Sequence, residues 1–133
     1  MRPMIRTKGV VHFSLPVTDI DRSVAFYTEI LGMEVSERRK TIVFLRTGND
    51  HFMLTKADEP PNRSPGDETR CHHAFWIDAD RYDEYVDFLK SRGIRILREE
   101  DRPPPANFSG RRAYFHDPDN HVLEIIDWTN PTK

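Results

Sequence analysis

The feature that most constrains this chain is a repeat. His12, Asp19 and Gly32 recur as His73, Asp80 and Gly93, three chemically distinct residues at one offset of 61. Each block opens with a strand-like run and an acidic helix cap, and continues with an apolar helical stripe, a glycine stop and further extended segments. In the first block, residues 10–17 read as a strand, and Asp19 caps a helix with Ile20, Val24, Tyr27 and Leu31 on one face. Gly32 supplies the left-handed stop, residues 33–36 are extended, and 41–45 and 51–55 form a hairpin across Thr47-Gly48-Asn49-Asp50. In the second block, residues 71–78 read as a strand and Asp80 caps a helix with the stripe Tyr82, Tyr85/Val86, Leu89. Gly93 stops it and residues 94–97 form the next strand. After the proline-rich loop at 102–107 the offset grows to 71, which matches Met53 with Glu124 and Asn49 with Asn120. The chain reads as α+β, a single domain over residues 1–133 built of two tandem βαβββ modules. These span about 8–57 and 70–128, with a proline-bearing linker at 58–69.

The last hairpin, residues 111–126, carries the chemistry. Its second run is Val122-Leu123-Glu124-Ile125-Ile126, and a carboxylate inside an apolar strand is costly unless it is paired or bound to a metal. Pro118 and Asp119 suit the centre of a type I turn, and Asn120 suits the left-handed position that follows it. That three-residue loop pairs Asp117 with His121, and therefore His116 with Val122, Tyr114 with Glu124 and Arg112 with Ile126. Arg112, Tyr114, His116 and Glu124 then share one face of the sheet.

Two modules related by a pseudo-twofold axis would each present a curved sheet to a shared cleft, with His12, His73, Glu124 and Met53 at its corners. Two imidazoles and a carboxylate suit one divalent metal ion. Tyr114 and His116 are the candidate catalytic groups, Tyr114 as a hydroxyl beside the metal and His116 as an acid or base. Arg112, Met53 and Ser14 are the candidate substrate contacts. Strand alternation sets His72 opposite to His73, at the surface, while His51 lies towards the rim. Trp76 falls on the helix-covered face, and Cys71 is a buried small residue.

Composition narrows the partners. Twenty basic and 22 acidic residues give a net charge of −2, which argues against nonspecific binding to nucleic acid or membranes. The single Cys71 excludes an internal disulfide framework. With no signal-peptide pattern at the start and no apolar run approaching a membrane span, a cytoplasmic setting is expected.

The order of V-H-F-S-L-P-V, D-I-D-R-S-V-A-F-Y-T-E-I-L-G, H-H-A-F-W-I and F-H-D-P-D-N-H-V-L-E-I resembles the vicinal oxygen chelate superfamily. That group holds glyoxalase I, fosfomycin-resistance enzymes, bleomycin-binding proteins and extradiol dioxygenases. The resemblance implies paired βαβββ modules around a metal held by His12, His73 and Glu124. It puts Met53 at the fourth position, where glyoxalase I types carry an oxygen or nitrogen ligand. A thioether suits Ni(II), Zn(II) or Mn(II) poorly there, so three ligands point first to a dioxygenase using Fe(II) or Mn(II). A glyoxalase-like lyase or isomerase, or a fosfomycin-type thiol transferase, with Mn(II), Zn(II) or Ni(II), is the alternative. A metal-free bleomycin-type binding protein is the alternative from another class. The substrate implied is a small molecule with vicinal oxygens, and a homodimer is expected.

Overall fold

The structure is a computed structural model that describes residues 4–61 and 70–128. These fall into two compact units that divide at residue 60/61. Most of the linker expected at 58–69 therefore lies outside the described residues.

The first unit runs β1 (Ser14–Val17), α1 (Ile20–Ala25), a π-helical turn (Phe26–Ile30), β2 (Glu34–Arg38), β3 (Ile42–Thr47) and β4 (Asp50–Lys56). Its sheet order is β1-β4-β3-β2, with β1 parallel to β4 and the other pairs antiparallel. Asp19 caps α1 as expected, its carboxylate accepting from the Arg22 amide at 3.0 Å. Leu15, Val17, Val43, Leu45, Phe52 and Leu54 are buried on the helix-covered face of the sheet. Tyr27 meets Phe52 edge-on there, with ring centroids 5.2 Å apart. The buried helical positions are Ile20, Ser23 and Tyr27, whereas Val24 and Leu31 are half-buried. Gly32 ends the helical segment at φ +68°.

The strand expected over 10–17 is shorter. Its parallel ladder with β4 begins at Ser14 opposite Met53, and only the Phe13 carbonyl, accepting from the Met53 amide at 2.8 Å, extends it back. Val10 and Val11 are exposed.

The second unit repeats the order: β5 (His72–Trp76), a 3-10 turn (Ala79–Arg81), α2 (Tyr82–Ser91), β6 (Arg98–Arg102), β7 (Gly110–His116) and β8 (Val122–Ile126). Its sheet order is β5-β8-β7-β6, again with one parallel pair, β5 with β8. The α2 stripe is Tyr82, Val86 and Leu89, packed with Ala113, Phe115, Leu123 and Ile125 in the core. Gly93 has the expected left-handed φ, +75°.

Two expectations for this unit are corrected. Asp80 does not cap the helix: the 3-10 turn intervenes, and Arg81 precedes α2 without a side-chain cap bond. The strand expected at 94–97 forms four residues later. Ile94 is still tied to the helix end through its amide and the Leu89 carbonyl, at 3.0 Å, and pairing begins with the Leu97 amide on the Tyr114 carbonyl, at 2.7 Å. β6 is Arg-Glu-Glu-Asp-Arg, an edge strand whose charges hide it from any hydrophobic pattern.

The final hairpin has the register read from its turn. Asn120 has φ +65°, and the Asp117 amide donates to the His121 carbonyl at 3.0 Å. Arg112 faces Ile126, Tyr114 faces Glu124 and His116 faces Val122. The buried Asp117 carboxylate fixes this turn, accepting from the amides of Asp119 at 2.9 Å and His121 at 2.8 Å. Replacing it leaves two buried donors without that acceptor. Asp117→Ala should destabilise the protein by about 2–3 kcal/mol, read as a lower urea midpoint with an unchanged slope.

Candidate metal-binding site

β8 is buried throughout, and Glu124 is only 3% exposed at its centre. The β5–β8 register decides which histidine meets it. Ala74 lies opposite Glu124, so His72 and Trp76, one alternation step either side of Ala74, share the Glu124 face. His73 lies opposite Leu123, in the row that also holds Phe115 on the helix-covered side. The expected arrangement is therefore reversed: His72 reaches the carboxylate, Nε2 to Oε1 at 3.2 Å, and His73 does not share its face. The slip comes from the repeat. Offset 61 holds for the glycine stops, but the two parallel ladders match Ser14 with Ala74, an offset of 60, once Met53 is matched with Glu124. At that offset His12 corresponds to His72.

The same one-residue shift corrects Trp76, which is 56% exposed on the Glu124 face rather than packed beneath the helix. Cys71 is exposed, not buried.

Around Glu124 the contacts are specific. Arg112 is 3% exposed, with Nη1 at 3.5 Å from Oε2, so the two carboxylate oxygens face different partners. Arg112 Nη2 also donates to the carbonyl of Phe108 and, at 3.3 Å, to that of Gly110. Its guanidinium is thus engaged by protein groups, which makes it a clamp on Glu124 rather than a free substrate contact. Burial raises the Glu124 pKa above the ordinary carboxylate range, opposed by His72 and Arg112. Burial and the neighbouring Glu124 charge raise that of Tyr114. The Tyr114 ring meets His72 edge-on at 5.5 Å and carries the Arg98 guanidinium at 4.6 Å, and its hydroxyl lies 3.4 Å from Glu100. His116 is half-buried on the same face.

In the first unit, Ser14, Met53 and Phe44 form one row across the sheet, on the face away from the helix. The Ser14 hydroxyl bonds that of Thr55 at 2.7 Å, and Met53 is half-buried. His12 precedes β1, exposed, with its ring edge-on to Phe44 at 5.8 Å. His51 is exposed at the start of β4.

The donor set fits a divalent metal. Ligand bonds of about 2.0–2.2 Å place two neighbouring donor atoms about 3.0–3.5 Å apart, and His72 Nε2 and Glu124 Oε1 have that separation. The other ring nitrogen, His72 Nδ1, is buried with no hydrogen-bond partner among the described residues, so Nε2 is the nitrogen engaged. Among the described residues, no three His, Cys, Asp or Glu side chains gather into a complete ligand cage.

Comparison with known proteins shows the family. The family model of the Glyoxalase/Bleomycin resistance protein/Dioxygenase superfamily matches residues 9–125. Fosfomycin resistance protein FosX of Listeria innocua is 31% identical over 127 residues, covering 88% of this chain and 87% of its own. Metallothiol transferase FosB of Staphylococcus haemolyticus is 30% identical over 118 residues, covering 89% and 82%. A crystal structure of a FosX variant from Listeria monocytogenes, complexed with Mn(II) and 1S,2S-dihydroxypropylphosphonic acid, has a TM-score of 0.75 at 26% identity, covering 92% of this chain and 91% of its own. The chain belongs to the Glyoxalase/Bleomycin resistance protein/Dioxygenase superfamily, with its α+β fold of βαβββ modules. Among the described residues no helix is long and apolar enough to cross a membrane.

Removing Arg112 would take its guanidinium away from a carboxylate that stays buried. Arg112→Met should cost about 3–5 kcal/mol in urea unfolding, whereas Arg98→Met on the exposed edge should cost less than about 1 kcal/mol.

Proposed function

We propose that this protein is a divalent-metal enzyme that opens the oxirane of fosfomycin or a closely related epoxyphosphonate. The observation that carries the reading is the His72–Glu124 pair, 3.2 Å apart and set beside Tyr114 in one sheet face. The relatives support the substrate: they are named for fosfomycin resistance and thiol transfer, not oxygenation, which favours fosfomycin-type chemistry over the dioxygenase that the three-ligand pattern suggests. The diol in the FosX structure is what addition of water to an epoxypropylphosphonate gives, and we favour water over a thiol as the nucleophile here.

The proposed ligands are His72, Glu124 and His12. His12 enters on its register, as the first-unit counterpart of His72, and the assignment of His73 is dropped with the face it depended on. Mn(II) is the proposed metal. A divalent ion held there supplies Lewis-acid polarisation of substrate oxygens.

The chain's own residues do the rest. Arg112 holds Oε2 of Glu124, which leaves Oε1 as the ligand oxygen beside His72. Tyr114 keeps its proton at neutral pH, because burial and Glu124 both raise its pKa, and its hydroxyl can donate to an oxygen of the substrate. Arg98 and Arg102 flank Glu100 on the edge strand, and the one positive charge that this trio leaves over suits a phosphonate. In the balanced reaction one C–O bond of the oxirane breaks, a C–O bond to water forms, and the water's proton ends on the released oxygen. A homodimer in the cytoplasm is part of the proposal.

Phosphorus NMR tests this directly. With Mn(II), the protein should convert fosfomycin to a dihydroxypropylphosphonate signal, and Glu124→Gln should reduce the rate about 100-fold or more. A fosfomycin signal unchanged with Mn(II), both in water and with added glutathione or cysteine, would overturn the reading.

A further inference from the structure

The Glu124 face continues into an aromatic cluster that the proposed chemistry does not use. Ile126 faces Trp76 on one side and Arg112 on the other, so Trp76 belongs to the row next to the one that holds Glu124, Tyr114 and Arg98. Two residues along a strand is about 7 Å, which sets Trp76 one row from Glu124, on the side of that row away from His72.

Trp76 is not alone. Its ring centroid lies 5.2 Å from that of Trp128, and Trp128 lies 5.0 Å from Phe108. Trp76 and Phe108 are more than half exposed, at 56% and 55%. Phe108 is also held in a conformation that bulky residues avoid, φ +54°. The Phe108 carbonyl accepts from Arg112, the residue that clamps Glu124. The aromatic cluster and the carboxylate are thus tied through one buried guanidinium.

We propose that Trp76, backed by Trp128 and Phe108, is an apolar subsite that gives the enzyme a preference for substrates with an aryl or comparably broad apolar group. That group would lie on the indole while the oxygens of the same molecule engage the His72–Glu124 end. The proposal rests on the metal-site reading above for the polar end of the ligand. The occupant is a small amphiphile because the cluster adjoins a charged, hydrogen-bonding site in the same sheet face, with Arg98, Glu100 and Arg102 along its far edge. A methyl-bearing epoxyphosphonate would leave the indole uncovered.

The test uses methylphosphonate and phenylphosphonate, titrated into the full chain with and without Mn(II). Both tryptophans of the chain lie in the cluster, so intrinsic tryptophan fluorescence reports on it alone. Phenylphosphonate should quench that fluorescence and bind about tenfold more tightly than methylphosphonate. Trp76→Ala should abolish the preference while leaving methylphosphonate affinity and Mn(II) uptake unchanged, and Trp76→Phe should restore most of it. Equal affinities in both conditions, or a preference that survives in Trp76→Ala, would overturn the subsite. Lack of Mn(II) uptake by the unaltered protein would instead overturn the metal reading, and the aryl preference would still be scored in the metal-free titration. Sedimentation of the protein and of Trp76→Ala covers the remaining occupant. If the substitution converts a dimer to monomer, a second copy covers the cluster and the subsite is refuted.

Discussion

A carboxylate buried at the centre of a β-strand is the constraint on which the second unit depends. Glu124 cannot be left unpartnered there, because removing an ionised group from water costs several kcal/mol. The unit answers from two strands: His72 on β5 takes one oxygen, and Arg112 on β7 takes the other. Those strands hold their registers for separate reasons, one through the parallel β5–β8 ladder and one through the Asp117 turn. The pair is therefore fixed by the fold before any ligand arrives. Such preorganisation is what a metal site needs, since the cost of orienting the ligands is met during folding.

How much of this was legible in the sequence depends on which signal each residue offered. The hairpin was readable to the residue because Pro118, Asp119 and Asn120 each have a steric reason for their place, and a turn of known length fixes every pair beyond it. The faces of His72 and His73 come out reversed because the glycine stops set an offset of 61, one residue more than the strands follow. The strands were the better ruler. At offset 60, His12-Phe13-Ser14-Leu15-Pro16-Val17 lies on His72-His73-Ala74-Phe75-Trp76-Ile77, which sets Ser14 on Ala74, Leu15 on Phe75 and Val17 on Ile77. Ser14 and Ala74, both small, then match on the open face, and Leu15 with Phe75 and Val17 with Ile77, all apolar, match beneath the helix. The extra residue falls in the 3-10 turn at Ala79–Arg81, which is also why Asp80 does not cap its helix as Asp19 does. Because strand faces alternate, one residue of slip exchanged His72 with His73 and moved Trp76 to the wrong side.

Other parts of the site carried weaker signals. β6 has no apolar residue, so its place in the sheet is visible only through its partners, yet it brings Arg98, Glu100 and Arg102 to the Glu124 face. Arg112 reads from sequence as a surface cation within reach of substrate. Only its burial and its bonds to the Phe108 and Gly110 carbonyls show that it is committed to the protein. Met53, at the position matched to Glu124, offers no charge to its own row.

The central claim is that the histidine beside Glu124, and not its neighbour in sequence, holds the metal. Titration of Mn(II) followed by electron paramagnetic resonance of the free ion, on His72→Ala and His73→Ala side by side, tests it most directly. The account predicts that His72→Ala weakens Mn(II) binding about 100-fold, while His73→Ala stays within about threefold of the unaltered protein. Binding that is lost in His73→Ala and retained in His72→Ala would contradict it.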